Sequence, residues 1–300
     1  MYDIIIVGGG PAGLTAAIYA RRAEKTVLVL EAAAFGGQIS YTDNIENYPG
    51  ISSVSGADFA AALYAQAKSC GADMKIERVS GIKDGKIKTV ISSKGEYSCK
   101  SVIIASGQKS RRLGADGEQR FIGSGVSFCA VCDGNFFRNR DVCVVGGGNT
   151  ALRDALYLSS ICKTVYLVHR RAGFRGEKLL VSQLEKKPNV IFKLNSTVRR
   201  IDGTEAVKSV LLNSGNGESE QLSVSGVFVA VGQMPHNEPF SDVLKLDAAG
   251  YAESGEDCRT EHSGIFVAGD CRAKPLRQLA TAVSDGAVAA TQACEYIDEQ

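Results

Sequence analysis

Cys129 and Cys132, two residues apart with Asp133 directly behind them, are the side chains in this sequence best suited to chemistry. A C-x-x-C pair on a turn or helix start puts both sulfurs on one side, close enough to alternate between disulfide and dithiol. A thiol in such a couple has a lowered pKa and acts as a nucleophile near neutral pH. The same spacing would also serve half of a zinc site or two small core residues. Zinc needs two further ligands, and the chain has three histidines and no second C-x-x-C. Nine cysteines is an odd number, so most are expected to be free thiols. Cys70 extends an apolar stripe with Phe59, Leu63 and Ala67, while Cys143 lies inside Val142-Cys143-Val144-Val145, so both read as core fillers.

The elements that must position the pair come from an internal repeat. YDIIIVGGGPAGLTAAIYARRAEKTVLVLE, from Tyr2, aligns without a gap on RDVCVVGGGNTALRDALYLSSICKTVYLVH, from Arg140. Gly8, Gly10, Leu14, Ala17 and Tyr19 fall on Gly146, Gly148, Leu152, Ala155 and Tyr157. Each copy predicts an apolar strand, a glycine turn, an amphipathic helix and a second strand, which is a βαβ unit. Downstream, Val102-Ile103-Ile104-Ala105-Ser106-Gly107-Gln108 is echoed by Val227-Phe228-Val229-Ala230-Val231-Gly232-Gln233. Before each lies hairpin punctuation, Asp84-Gly85 and Lys94-Gly95 in the first copy, Asp202-Gly203 and Ser214-Gly215 in the second. The expected fold class is α/β, with two Rossmann-like (three-layer ββα) dinucleotide-binding domains.

Gly8-x-Gly10-x-x-Gly13 follows a strand and opens a helix, which lets a pyrophosphate approach the backbone at the helix N-terminus. Glu31 closes the second strand about 20 residues on, where a carboxylate accepts hydrogen bonds from a ribose. In the second copy, Gly146-x-Gly148-x-x-Ala151, the equivalent slot holds His169-Arg170-Arg171, with Arg175 following. Forked guanidinium donors match phosphate oxygens, so this site should prefer NADPH over NADH. With a hydride donor and a sulfur pair in one chain, redox cycling is the natural use of the C-x-x-C, and a flavin is the group that links the two.

Composition excludes other classes. The 300 residues carry a formal charge of +1 and 44% hydrophobic side chains, so there is no polybasic field for nucleic acid or an anionic membrane. The chain starts at Met1-Tyr2-Asp3-Ile4 without a signal-peptide pattern, and no apolar run approaches about 18 residues. A soluble, cytoplasmic protein is expected.

Together these residues resemble a known family. The first half is similar to the FAD-binding domain of flavoprotein pyridine nucleotide-disulfide oxidoreductases, and the motif order along essentially the whole chain resembles class II, the low-molecular-weight thioredoxin reductase family. The motifs that carry the likeness are Gly36-Gly37-Gln38, Glu46-Asn47-Tyr48-Pro49-Gly50, Cys129-Ala130-Val131-Cys132-Asp133, His169-Arg170-Arg171 through Arg175, and Ala268-Gly269-Asp270 leading to Arg277-Gln278. The resemblance implies a domain inserted in another: residues 1-111 and 242-300 as the FAD-binding domain, and 112-241 as the NADPH-binding domain carrying the C-x-x-C. It assigns FAD to Gly8, Gly10, Pro11, Ala12, Gly13, Glu31, Gly36, Gly37, Gln38, Asn47, Gly107, Asp270, Arg277, Gln278 and Ala280. NADPH falls to Gly148, Asn149, Thr150, His169, Arg170, Arg171 and Arg175.

In that reading Cys132 faces the flavin, Cys129 attacks the disulfide of thioredoxin or a thioredoxin-like protein, and Asp133 handles the proton of the departing thiolate. No metal is expected. Asp270 is expected to bond the ribityl chain at the end of a strand over residues 264–270, and Leu276 through Ile297 to form a helix aimed at the flavin. The resemblance also implies a homodimer and rotation of one domain against the other. Arg153, Asn135 and the segment Gln233-Met234-Pro235-His236-Asn237 depart from the family pattern and bear on nucleotide affinity and partner identity. Alternative readings are a reductase for a peroxidase-linked carrier, a flavin-dependent dithiol oxidase, and a non-enzymatic flavin-binding redox sensor. Retention of His169-Arg170-Arg171 argues against the oxidase, which needs no pyridine nucleotide.

Overall fold

The computed structural model describes residues 1–42, 44–215 and 217–300. The chain opens with β1 (Tyr2–Val7), α1 (Pro11–Arg22) and β2 (Val27–Glu31), continues through α2 (Gly56–Ser69) and β3 (Asp73–Ile76), and then enters a meander of β4 (Val79–Lys83), β5 (Lys88–Ser92) and β6 (Gly95–Ile104). A second set follows: β7 (Gln108–Ser110), β8 (Val126–Ser127), α3 (Ala130–Asp133), β9 (Asp141–Val145), α4 (Asn149–Ser159), β10 (Thr164–Val168), α5 (Lys178–Glu185) and β11 (Val190–Lys193). Four more strands complete it, β12 (Ser196–Gly203), β13 (Val207–Ser214), β14 (Ser219–Ser223) and β15 (Gly226–Val229). The chain returns along β16 (Gln233–Pro235) to β17 (Ile265–Val267) and α6 (Leu279–Asp298).

Two compact units result, one built from Met1–Lys109 with Met234–Gln300 and the other from Ser110–Gln233. In the first, β3, β2, β1 and β6 form a parallel sheet, β17 adds parallel to β6, and β5 and β4 extend β6 antiparallel. In the second, β11, β10, β9, β15 and β8 are parallel, in that order.

Both sheets are buried on both faces because side chains alternate across a strand. In β1, Ile4 and Ile6 pack with α1 and α6, while Ile5 and Val7 pack against Val79, Val90 and Phe240. In β9, Val142 and Val144 pack with α4, while Cys143 and Val145 face Val210, Leu212 and Leu222 of the meander. Layers of helix, sheet and meander thus repeat in each unit, as the sequence repeat predicts.

The copies differ in one connection. In the first, β6 runs unbroken through residues 95–104 and serves both the meander and the parallel sheet. In the second, Val224 and Ser225 separate β14 from β15, so β12, β13 and β14 form a sheet of their own. Two local expectations also shift. The expected strand over residues 264–270 stops at Val267, because Gly269 takes φ +81° and turns the chain, placing Asp270 in a 3-10 turn. The last helix starts at Leu279 and not Leu276, because Gln278 caps it reciprocally with Thr281.

Candidate active site

The first glycine turn is shaped by close backbone approach. Gly8 has φ +110°, and a Cβ there would lie 2.2 Å from Ala105 O; a Cβ on Gly13 would lie 1.9 Å from Gly8 O. Only glycine fits either place. Gly10 packs closely against Gly37: a Cβ on Gly10 would touch Gly37 Cα at 3.8 Å, and one on Gly37 would lie 3.0 Å from Gly10 Cα. Gly10 caps α1 with no side-chain bond, and Pro11 supplies no N–H, so the amides of the first turn are left for a ligand. Glu31 accepts from Gly9 N–H at 2.7 Å and from Ala33 N–H at 3.0 Å, which holds its carboxylate at the rim of the turn.

Asp270 closes the same unit. Its Oδ2 accepts from Gln108 Nε2 at 3.4 Å, and its Oδ1 is buried with no partner among the described residues. Burial pushes this carboxyl above its usual range, while Lys274 and Arg277 pull it back. An orphaned buried oxygen beside a glycine cradle fits a hydroxylated chain that leads to a diphosphate. Arg277 lies 3.8 Å over the Tyr251 ring and donates to Asp270 O and Arg272 O at 3.3 and 2.9 Å. Asn47 Nδ2 donates to Gln278 Oε1 at 3.1 Å, next to Ala280 in the first turn of α6. Gly36 and Gly37, both at positive φ, lead into the 3-10 turn that holds Gln38, and Gly107 has φ +67°.

The second unit repeats the cradle with different walls. A Cβ on Gly146 would lie 2.4 Å from Ala230 O, whereas one on Gly148 would meet nothing within 4 Å. Asn149 is locked to Glu177, accepting from its N–H and donating to its carboxylate, both at 2.8 Å, and Thr150 is exposed. Arg153 joins this group by an exposed ion pair of 3.5 Å with Glu177. His169 is buried beneath the turn: its ring stacks on Phe174 at 5.3 Å and occupies the space that a Cβ on Gly147 would enter. Burial, with the neighbouring arginine charges, lowers its pKa. The three arginines differ from it. Arg170, Arg171 and Arg175 are exposed and form no ion pair among the described residues, and Arg175 N–H and Gly176 N–H both fold back onto Gly147 O.

Cys129 and Cys132 form a disulfide with Cα atoms 5.3 Å apart. Cys129 is the N-cap of α3, and its Sγ accepts from Cys132 N–H at 3.2 Å. Ser127, which the sequence reading missed, organises the site: its Oγ accepts from Cys129 N–H at 3.1 Å and donates to Asp133 Oδ2 at 2.6 Å. Its only sequence signal is a hydroxyl two residues before the first cysteine. Gly134, directly after α3, lies against Tyr157, Leu158 and Ile161, so α4 carries the nucleotide cradle at its start and supports the disulfide turn further along.

The other seven cysteines are free. Burial pushes Cys99, Cys143 and Cys258 up to about 12 and Cys162 to about 11, which leaves them inert. Among the described residues no group of three or more His, Cys, Asp or Glu side chains is placed to hold a metal, and no helix is long and apolar enough to cross a membrane.

The pyridine nucleotide-disulphide oxidoreductase family matches residues 2–286. A thioredoxin reductase of Listeria monocytogenes is 41% identical over 302 residues, spanning 100% of this chain and 95% of the relative. A bifunctional thioredoxin reductase/thioredoxin of Mycobacterium leprae is 39% identical over 100% of this chain and 66% of its own length. The solved thioredoxin reductase of Streptococcus pyogenes superposes with a TM-score of 0.96 at 40% identity, covering 100% of this chain and 99% of that one.

Proposed function

The chain belongs to the pyridine nucleotide-disulphide oxidoreductase family, and from that premise we propose that it moves electrons from NADPH through FAD and the Cys129–Cys132 couple to the disulfide of thioredoxin. A bound flavin supplies the step from hydride to electron pair, and the chain supplies everything around it. The observation that carries the reading is the disulfide on the same unit as a nucleotide cradle whose exposed arginines form no ion pair among the described residues. Those arginines suit a ribose phosphate, hence NADPH. Asp270 and the cradle of Gly8 to Gly13 with Gly36 and Gly37 suit FAD, in a domain of residues 1-111 and 242-300. The segment 112-241 is the NADPH domain.

In the oxidative half, Cys129 thiolate attacks the partner's disulfide and forms a mixed disulfide, with one partner sulfur leaving as thiolate. Asp133, held by Ser127, is placed to pass that thiolate a proton. Cys132 then attacks Cys129 Sγ, which releases the second partner thiol and closes the Cys129–Cys132 bond again. One electron pair enters for each partner disulfide opened. The relatives support a thioredoxin-like substrate, and by family resemblance the proposal extends to a cytoplasmic homodimer.

A coupled assay with FAD-loaded protein, NADPH and a panel of thioredoxin-fold proteins tests this. Reduction of thioredoxin that depends on NADPH is expected. A protein whose flavin ignores NADPH but responds to small dithiols would establish the oxidase reading instead.

A further inference from the structure

Two exposed arginines are tied to the chain that enters and leaves the disulfide turn. The Arg112 guanidinium lies 5.5 Å over the ring of Phe128, the residue before Cys129, and its Nη1 donates to Gln119 Oε1 at 2.7 Å. Arg138 follows the 3-10 turn after α3, and its Nη2 donates to Asn135 Oδ1 at 3.1 Å. Asn135, one of the positions that depart from the family pattern, thus supplies the anchor. Neither arginine forms an ion pair among the described residues. The surface around them is one-sided in charge. Of the exposed charged residues between 110 and 140, five are arginines and one is a carboxylate, Asp116. The other two carboxylates there are engaged. Glu118 is buried and accepts from Leu113 N–H and Gly114 N–H at 3.0 and 2.9 Å, and Asp133, half-buried, accepts from Ser127.

Val131, between the two cysteines, is 47% exposed, and Phe136 is 44% exposed. Apolar tips beside a reactive sulfur suit a protein whose own disulfide must come within bonding distance of Cys129. Exposed cations held in place then choose among such proteins by charge, because rim charges govern encounter rate and specificity and a like charge opposite them is costly. An arginine already fixed by a ring or an amide has less freedom to lose when it meets a carboxylate. We propose that Arg112 and Arg138 form a cationic rim to the disulfide, which selects thioredoxin-fold partners that carry Asp or Glu beside their own disulfide. The inference rests on the thioredoxin reading above and adds the chemistry of the partner: among proteins that share one fold and one disulfide, the acid-flanked ones are taken. Arg112 and Arg138 are specificity residues in this scheme, and electron transfer to the disulfide does not pass through them.

The probes are a thioredoxin with carboxylates beside its disulfide and a version of it in which those residues are changed to the corresponding amides. Reduction of both is followed for the FAD-loaded parent, for Arg112→Gln/Arg138→Gln and for Arg112→Lys/Arg138→Lys. The parent is expected to show a KM about fivefold lower for the acidic thioredoxin, as two exposed ion pairs allow. Arg112→Gln/Arg138→Gln should raise that KM by about fivefold and abolish the preference, with kcat near the parent value. Arg112→Lys/Arg138→Lys, which keeps the charge, should stay within about twofold of the parent. In roughly 0.5 M salt the parent's preference should fall below about twofold, because exposed charges are screened. Flavin reduction by NADPH and reduction of the neutral hydroxyethyl disulfide are the controls, and both should match the parent in every variant. Equal KM values for the two thioredoxins in the parent, a preference that survives Arg112→Gln/Arg138→Gln or high salt, or an equal loss with hydroxyethyl disulfide would overturn the proposal. A parent that reduces hydroxyethyl disulfide but neither thioredoxin would instead overturn the thioredoxin reading, and this inference with it.

Discussion

Ser127 Oγ donates a 2.6 Å hydrogen bond to Asp133 Oδ2 across the turn that carries the disulfide, while accepting from the backbone of Cys129. The hydroxyl ties the carboxylate proposed to handle the proton to the residue proposed to perform thiol exchange. A hydrogen bond to a charged group is worth roughly 1.5–3 kcal/mol, so Ser127→Ala is expected to slow partner reduction by about tenfold or more. Asp133→Asn should slow it by about 10²-fold, the lower end of what a positioned acid–base group contributes. Flavin reduction by NADPH, followed in a stopped-flow experiment, should stay near the parent rate in both variants. A matching loss in both half-reactions would mean that Ser127 only supports the local fold.

The two cysteines separate by half-reaction. Cys129→Ser is expected to abolish thioredoxin reduction while the flavin still bleaches with NADPH. Cys132→Ser should also abolish turnover, because the mixed disulfide formed at Cys129 has no resolving thiol. Trapping a covalent partner adduct on Cys132→Ser, and none on Cys129→Ser, checks the assignment on a non-reducing gel.

Nucleotide choice is expected to reside in Arg170, Arg171 and Arg175, not in His169. Replacing one arginine with Ala should raise the KM for NADPH about tenfold, in line with the roughly 1.5–3 kcal/mol of a charge-assisted bond, with NADH kinetics unchanged. His169→Ala removes a buried ring stacked on Phe174 and packed over Gly147, so it should lower the melting temperature and leave the NADPH to NADH ratio near the parent value. Steady-state kinetics with both nucleotides distinguish the two outcomes.

Asp154 on α4 supplies a pH prediction. Burial pushes its carboxyl up to about 7, from about 4 in an unfolded chain. The folded state then binds the extra proton between those values, so this group favours folding fully below about pH 4 and its contribution is lost as pH rises to about 7. Three pKa units set an upper limit of about 4 kcal/mol. Asp154→Asn should flatten the stability profile between pH 4 and 7 and raise the melting temperature at pH 8, where thermal unfolding of parent and variant can be compared.

Much of the architecture was legible in the linear chain, because strand, glycine turn and helix are written in local periodicity and in backbone conformations that only glycine adopts. The aligned copies at Gly8 and Gly146 specified two dinucleotide folds, and the spacing of Cys129 and Cys132 specified a pair able to form a disulfide, since three residues on a helix start already bring the sulfurs together. What only the tertiary structure decided are partnerships between distant residues. Packing buried His169 beneath Gly147 and left its arginine neighbours exposed, although all of them sit in one basic run. A break at Val224 and Ser225 detached the second meander, where the first stays joined through β6. Asp285 met Gly269, Arg272 and Lys274 only once α6 had crossed the start of α1. Local patterns constrain φ, ψ and the face a residue occupies, whereas the partner of a buried charge is set by which elements pack together, and no short window of sequence contains that information.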